Sequence, residues 1–214
     1  MPVKPKGPKR RPNSALELKS HPSPLVAGGR QWVRIIGGEW RGRRLSFPPV
    51  AALRPTPDRV RETLFNWLQG TIAGARCLDL FSGSGALGFE ALSRGAQETV
   101  FVDSEHLIVA ALRESAAQLK CSSARIIEAN AATWLRGSAQ VFDVIFLDPP
   151  YAREGLDELC TLLDRGGWLS EDGYVYLESA AQSVLPALPA TWKVVRQTRA
   201  GAVCGTLIHR TLLV

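Results

Sequence analysis

The chain has 214 residues and a mass of 23.3 kDa, and 45% of its residues are hydrophobic. This is enough apolar material for a sizeable core, which excludes a disordered or fibrous protein. The net charge of +6 is distributed unevenly, because residues 1–30 contribute +6, residues 31–61 contribute +5 and residues 62–214 contribute −5. Clustered Lys and Arg release phosphate counterions on binding, so the basic part predicts a nucleic acid partner, with a merely solubilising tail as the alternative.

Cysteine usage and hydropathy indicate the compartment. The four cysteines are widely spaced, form no CxxC pair and are accompanied by only three histidines, so we expect neither a metal site nor a redox dithiol. No apolar run approaches the roughly 18 residues that span a bilayer, and the N-terminus lacks the apolar core of a secretory signal. We therefore expect a cytoplasmic, monomeric protein without a membrane partner.

The N-terminal part begins with an arm and a hairpin. Residues 1–30 contain six prolines and seven Lys or Arg without apolar periodicity, which predicts a basic, flexible arm. From Trp32 to Phe47 the pattern WVRIIGGEWRGRRLSF predicts two short strands around a turn at Gly37 and Gly38. This segment is therefore expected to form a β-hairpin.

A helix is predicted to follow the hairpin. Thr56 is expected to cap it with its hydroxyl, Pro57 to occupy the first turn, and Asp58 to face the positive end of the helix dipole. Arg59 and Arg61 are expected to lie off the apolar stripe of this helix. The stripe consists of Val60, Leu64, Trp67 and Leu68.

From Arg76 onward, apolar strand-like runs alternate with helical stretches, which is typical of parallel βαβ units. Near the C-terminus, two more strand-like runs flank Gly201 and predict an antiparallel pair that closes one edge of the sheet. The predicted strands are 76–81, 98–103, 124–128, 142–147, 174–178, 192–199 and 203–213, and the predicted helices are 86–95, 105–120 and 154–165.

A glycine-rich motif lies between the first of these strands and its helix. Gly83, Gly85 and Gly88 spell GxGxxG, which permits a tight turn and lets a ligand approach the backbone. Asp103 ends the next predicted strand, where a carboxylate can accept the hydroxyls of a ribose. The motif predicts a nucleoside-bearing cofactor, with a glycine turn that binds nothing as the alternative.

The residues around the glycines bear on the identity of this cofactor. A pyrophosphate needs bare backbone amides at a helix N-terminus, whereas S-adenosylmethionine, with its sulfonium and ammonium groups, needs a carboxylate. Asp79 supplies this carboxylate or serves only as a cap, and Asn130 holds the adenine or merely forms a turn. The candidate cofactor contacts are Asp79, Phe81, Gly83, Ser84, Gly85, Asp103, Ser104, Asn130, Ala131 and Asp148.

The second motif is the string Asp148, Pro149, Pro150 and Tyr151, which follows the apolar strand VFDVIFL. It lies at the carboxyl edge of the sheet, where open parallel sheets bind ligands. An amine on a planar base is a poor nucleophile, so acceptors must fix its hydrogens and free its lone pair. The Asp148 carboxylate and the Pro149 carbonyl are such acceptors, and Tyr151 offers a ring for stacking. These four residues are the candidate catalytic group, and a proline-rich turn plugged by an aromatic ring is the alternative.

The motifs together resemble a known group of enzymes. The segments LDLFSGSGALGFEALSRGA and LDPPY are similar to those of S-adenosylmethionine-dependent amino-methyltransferases with the class I Rossmann-like fold. The upstream block RIIGGEWRGRRL, with LRPTPDRVRETLFNWL, resembles one bacterial family, the small-subunit ribosomal RNA guanine-N2 methyltransferase D family. The resemblance covers roughly residues 33–214 and implies an α/β fold with a mostly parallel seven-stranded sheet, helices on both faces and an N-terminal β-hairpin extension.

The resemblance also implies an activity. A methyl group would pass in line from S-adenosylmethionine to the N2 amine of one guanine in 16S RNA, in small ribosomal subunits or their assembly intermediates. The family's guanine-binding positions match Asp148 and Tyr151, and its cofactor-binding positions match Gly83, Gly85, Asp103 and Asn130.

Arginines dominate the segment before the glycine loop. Seven arginines and no lysine lie between residues 31 and 61, and arginine forks match phosphate oxygens bidentately, so RNA contact is expected; a solvated outer face is the alternative. The expected division is an arm at 1–30, an RNA-binding extension at 31–72 and a methyltransferase domain at 73–214. The candidate RNA contacts are Arg34, Arg41, Arg43, Arg44, Arg54, Arg59 and Arg61.

Three other functions remain open at this point. A methyltransferase that acts on DNA adenine or on a protein glutamine would use the same pocket, although those enzymes usually have Asn in place of Asp148. An NAD-dependent oxidoreductase fits the glycines but leaves the DPPY string unexplained. A non-enzymatic RNA-binding assembly factor fits the arginines but leaves Asp148 and Tyr151 without a role.

Overall fold

The computed structural model of the protein describes residues 29–49, 55–149 and 155–211. Most of the predicted arm, Pro150, Tyr151 and Arg54 lie outside these described residues. The elements in chain order are β1 (Gln31–Arg34), β2 (Arg44–Phe47), α1 (Asp58–Trp67), β3 (Arg76–Asp79), α2 (Ala86–Ser93), β4 (Glu98–Asp103), α3 (His106–Leu119), β5 (Ala124–Glu128), α4 (Ala131–Leu135), β6 (Phe142–Leu147), α5 (Leu156–Arg165), β7 (Leu169–Ala180), β8 (Trp192–Ala200) and β9 (Val203–Arg210).

The main sheet has seven strands in the order β5-β4-β3-β6-β7-β9-β8. Strands β3 to β7 are parallel, whereas β9 pairs antiparallel with both β7 and β8. The mostly parallel sheet and the antiparallel pair at its edge are therefore confirmed. The strand order reverses between β3 and β6, and the crevice outside the carboxyl ends of such strands is where open α/β sheets bind ligands.

The central strands contain continuous apolar runs because helices cover both faces of the sheet. On β6, the side chains of Val144, Ile145, Phe146 and Leu147 are all fully buried. Val144 and Phe146 belong to one hydrophobic cluster with α1, α2 and α3, whereas Ile145 and Leu147 belong to a second cluster with α4 and α5. Successive side chains on a strand point to opposite faces, so one unbroken apolar run serves two cores.

The N-terminal hairpin is confirmed, and it packs on the first of these clusters. Strands β1 and β2 pair antiparallel, with Val33 opposite Leu45, and both side chains are buried in the cluster that contains sheet residues. Residues 35–43 form a loop, so the strands are shorter than the predicted span. The segment 31–72 thus shares its core with the sheet, and its division from the rest as an RNA-binding unit stays a prediction.

Two expectations about the first helix are wrong. Helix α1 begins at Asp58, and Pro57 at its N-cap position makes no side-chain capping bond. Thr56 precedes this position and is buried with 3% of its surface exposed, where it lines a cavity instead of capping the helix. Arg61 does not lie off the apolar face, because it is fully buried.

Candidate active site

A cavity of about 570 Å³ opens at the carboxyl ends of the parallel strands. The glycine loop lines it through Gly83, and the second motif lines it through Asp148 and Pro149. The two sequence motifs, which lie far apart in the chain, therefore meet at one site. Of the candidate cofactor contacts, Phe81, Ser84, Ser104 and Ala131 also line this cavity.

The glycine loop has backbone angles that side chains disfavour. Gly83 and Gly85 have φ angles of 49° and 74°, in the left-handed region. A Cβ atom on Gly85 would lie 2.7 Å from carbon atoms of both Phe89 and Leu112, so α2 and α3 pack directly against this residue. Gly85 is buried and is not among the residues that line the cavity. A glycine is required at this position because the close packing of α2 and α3 leaves no room for a side chain.

Asp79 closes the loop from the end of β3. Its Oδ2 accepts a hydrogen bond of 2.9 Å from the Gly88 N–H, in the first turn of α2. The side chain also lines the cavity while only 2% of the residue is exposed. Burial raises the pKa of this carboxyl to about 7, with a further rise from the charge of Asp103 and an opposing effect from the Gly88 N–H. Asp79 is thus both a helix cap and a wall of the cavity.

Asp103 holds the other side of the glycine loop. Its two carboxylate oxygens accept hydrogen bonds of 2.9 Å from the N–H groups of Gly83 and Glu105. Burial raises the pKa of Asp103, and these N–H donors oppose the rise. Asn130 is the N-cap of α4, where its Oδ1 accepts a 3.1 Å bond from the Thr133 N–H, and it also lines the cavity. The proposed contacts of Asp103 and Asn130 with a cofactor stay predictions.

Glu178, at the end of the predicted strand 174–178, was not among the predicted site residues. The parallel pairing of Leu147 with Leu177 is the last between β6 and β7, so Asp148 and Glu178 follow it side by side, and both line the cavity. Glu178 is 7% exposed, and its Oε2 accepts a 2.9 Å bond from the Tyr176 hydroxyl. The carboxyl end of a strand on the active rim is the signal that would have identified it.

Asp148 is surrounded by like charges. Burial raises the pKa of Asp148 well above its ordinary value, and the nearby carboxylates of Glu178 and Asp79 raise it further, while polar contact with Thr56 lowers it. Burial likewise raises the pKa of Glu178, against the opposing effects of Tyr176 and Thr56. Three carboxyl groups therefore share one poorly hydrated space.

The cavity as a whole is acidic. Five carboxylate residues line it, and its described lining contains no Lys, Arg or His. Such a site attracts a cationic ligand and repels a pyrophosphate. The acidic residues are Asp79, Asp103, Glu105, Asp148 and Glu178.

Five of the candidate RNA-binding arginines lie at the surface, namely Arg34, Arg41, Arg43, Arg44 and Arg59. The Arg44 guanidinium lies 4.1 Å from the centre of the Trp32 ring, whose residue is 56% exposed. Arg43 donates a 3.0 Å hydrogen bond to the Gln118 carbonyl. Contact of these side chains with RNA stays a prediction.

Arg61 is the exception, and its assignment to RNA is corrected. Its guanidinium donates to the backbone carbonyls of Arg34 and Thr56 at 2.9 and 3.2 Å. It also forms ion pairs with Asp58 at 2.6 Å and with the fully buried Glu90 at 3.5 Å. Arg61 therefore ties the hairpin, α1 and α2 together beneath the surface. Its spacing from Leu64 and Leu68 on the apolar stripe was the missed signal.

The loop at Gly37 and Gly38 docks on the end of α2. The N–H groups of Ile36 and Gly37 donate to the Glu90 carboxylate at 2.7 and 2.8 Å. A Cβ atom on Gly38 would lie only 1.7 Å from the Ser93 carbonyl oxygen, so a side chain cannot fit there. Gly38 is thus explained by a close approach of two backbones, whereas Gly37 lies against the Arg94 side chain.

Comparison with known proteins identifies the family. A family model described as Conserved hypothetical protein 95 matches residues 33–209. The ribosomal RNA small subunit methyltransferase D of Escherichia coli strain K12 is 44% identical over 182 residues, which are 85% of this chain and 92% of that protein. The chain belongs to the methyltransferase D family. A member of the family from Haemophilus influenzae is 40% identical over 175 residues, which are 80% of this chain and 90% of that protein.

A solved structure agrees with this family membership. The YhhF protein of Escherichia coli matches with a TM-score of 0.79 at 42% identity, over 85% of this chain and 99% of that one. The family resemblance and the class I methyltransferase fold predicted from the sequence are confirmed. Within the described parts of the chain, no helix has both the length and the apolarity to cross a membrane, and no cluster of His, Cys, Asp or Glu is arranged to hold a metal ion.

Proposed function

We propose that the protein transfers a methyl group from S-adenosylmethionine to the exocyclic N2 amine of a guanine in small-subunit ribosomal RNA. The observation that supports this most strongly is the acidic cavity in which the glycine loop meets Asp148 and Pro149. One cavity therefore offers a nucleoside-sized pocket and a pair of acceptors for an amine.

The residues around the cavity fit the cofactor. When bound, S-adenosylmethionine supplies an electrophilic methyl group on a sulfonium. The buried carboxylate of Asp79 would face its ammonium group, and Asp103 at the end of β4 would accept the ribose hydroxyls. Asn130 would lie against the adenine. The acidic lining argues against a dinucleotide, because a pyrophosphate would be repelled by the five carboxylate residues.

The second motif fits an amine on a planar base. The Asp148 carboxylate and the Pro149 carbonyl would accept the two hydrogens of the amine and so direct its lone pair toward the methyl group. The raised pKa of Asp148, caused by burial and by nearby carboxylates, would fall again when a cation enters the cavity. Tyr151 would stack on the base. No covalent bond to the protein is required, because orientation and charge complementarity supply the catalysis.

The substrate assignment rests on the family and on surface charge. The curated relatives are named as methyltransferases of small-subunit ribosomal RNA. The exposed arginines of the hairpin and α1 would contact RNA phosphates, and the guanine would leave its stack to enter the cavity. We propose assembled or partly assembled small subunits as the substrate, and a cytoplasmic monomer as the active form.

Transfer of a labelled methyl group to small-subunit particles tests this proposal. Unmodified particles are incubated with labelled S-adenosylmethionine, and the nucleosides are analysed by mass spectrometry. The label is expected in N2-methylguanosine with the wild-type protein and is expected to be lost with Asp148→Ala, although calorimetry should still detect cofactor binding. Full turnover by Asp148→Ala, or label in adenosine or in protein, would overturn the assignment.

A further inference from the structure

We propose that Glu178 is a specificity-determining residue that accepts the N1–H of the target guanine while the adjacent Asp148 accepts its N2–H. This inference rests on the proposed function and names the group that selects guanine. It uses a buried side chain to which the resemblance gives no role.

The strand register places the two acceptors next to each other. Leu147 on β6 and Leu177 on β7 form the last parallel pair of these strands, so the residues that follow, Asp148 and Glu178, lie next to each other on neighbouring chain segments about 5 Å apart. Both line the same cavity. The N1–H and one N2–H of guanine lie on two nitrogens that are both bonded to C2, and they point in nearly the same direction along one edge of the base. Two carboxylates side by side match this pair of donors.

Glu178 lacks a charged partner within the described part of the chain. It is 7% exposed and forms no ion pair there; its Oε2 accepts from the Tyr176 hydroxyl at 2.9 Å, and the hydroxyl of Thr56 is shared between Glu178 and Asp148. A buried carboxylate without a cation is costly unless hydrogen-bond donors satisfy it. The N1–H of a bound guanine is such a donor, so binding of this base would relieve the cost. The Tyr176 hydroxyl fixes one oxygen and thereby orients the carboxylate.

The same arrangement rejects other bases that carry an exocyclic amine. Adenine and cytosine present a ring nitrogen without hydrogen beside the amine, and its lone pair would face the Glu178 carboxylate. A site whose buried polar group is left unpaired discriminates by several orders of magnitude. The pair of carboxylates therefore selects guanine, whereas Asp148 alone would accept any of these amines.

This role is tested by changing the target base in the RNA and Glu178 in the protein, separately and together. Two substrate RNAs carry guanine or 2-aminopurine at the target position; 2-aminopurine keeps the amine, but its N1 has no hydrogen. The wild-type protein should methylate the guanine RNA with a much higher kcat/KM. In Glu178→Gln, the side-chain amide can donate to the bare N1, so the preference for guanine should fall at least about tenfold. Glu178→Asp, which keeps the carboxylate, should retain the preference at a lower rate.

Control measurements separate this role from a structural one. Glu128→Gln, an exposed change at the end of β5 and outside the cavity lining, should keep the wild-type preference. Competition binding of the two RNAs measures the preference where turnover is slow, and calorimetric cofactor binding establishes that each variant is folded. An unchanged preference in Glu178→Gln, while the wild-type protein methylates guanine, overturns this inference alone. A wild-type protein that methylates neither RNA overturns the proposed function and the inference together.

Discussion

Replacement of Asp79 by Asn should raise the free energy of unfolding relative to the wild type, and this gain should be larger at neutral pH than at acidic pH. Burial raises the pKa of this carboxyl from 3.8 to about 7, so the native state keeps a proton that the unfolded chain releases. Between these pH values the unfolded state binds fewer protons, so the free energy of unfolding of the wild type falls as the pH rises. Asn keeps an acceptor for the Gly88 N–H and has no charge to bury.

The size of the effect follows from the shift. At 1.36 kcal/mol per pKa unit, the Asp79 carboxyl should lower the free energy of unfolding by about 2–3 kcal/mol more at pH 8 than at pH 5. Urea unfolding of wild type and Asp79→Asn at both pH values measures the contribution of this group together with its coupling to Asp103 and Asp148, because the titrations of distant groups cancel in the comparison. Glu171→Gln, an exposed change, should show no such difference. Parallel behaviour of wild type and Asp79→Asn across this range would refute the reasoning.

Three further tests, two of them with a matched control substitution, address other parts of the structure. Gly38→Ala should destabilise the protein by more than about 3 kcal/mol in urea unfolding, whereas Gly42→Ala, with a similar φ but open space around it, should cost only about 1–2 kcal/mol; equal costs would contradict the close approach to α2. Arg61→Met should cost about 3–5 kcal/mol because it leaves the Thr56 and Arg34 carbonyls without their buried donor and removes one of the two cations beside Glu90, the other being Arg94, whereas Arg59→Met should leave stability within about 0.5 kcal/mol and weaken RNA binding at low salt; the reverse pattern would show that their roles are exchanged. Gly85→Val should abolish cofactor binding in calorimetry, and normal affinity would speak against the packing of the glycine loop.

The sequence predicted the central strands well because their signal is local. The bounds of β4, β5 and β6 agree with the predicted 98–103, 124–128 and 142–147. Residues 100–102 of β4 and 144–147 of β6 are fully buried apolar runs, which define these strands without knowledge of their neighbours. Strand β5 lies at the edge of the sheet and is only partly buried, and the Ile126 and Ile127 pair marks it. The meeting of the glycine loop with Asp148 also followed, because parallel strands place their carboxyl ends on one rim.

The failures concern residues whose roles depend on distant segments. Thr56 occupies a typical helix-cap position in the sequence, but in the fold it lines the cavity close to the carboxylates of Asp148 and Glu178. Arg61 has the charge of a surface residue, but Glu90 on α2 offers a buried partner that sequence spacing does not reveal. Glu178 needed the pairing of β7 with β6 to bring it beside Asp148. In each case tertiary contacts decided the role.

The glycine pair in the hairpin illustrates the same limit. Gly37 and Gly38 were predicted to form a two-strand turn, and they do lie between β1 and β2. Their requirement for glycine comes instead from α2, where the Ser93 carbonyl and the Arg94 guanidinium occupy the space of a side chain. A motif associated with RNA contact therefore has a structural basis as well.

The central claim is tested most directly by comparing small-subunit ribosomal RNA from cells with and without this gene. Mass spectrometry of the digested RNA measures N2-methylguanine at each position. We predict that one guanine loses its N2-methyl group in cells without the gene and regains it when the wild-type gene, but not the Asp148→Ala variant, is restored. An identical content of N2-methylguanine at every position in both cells would contradict the account.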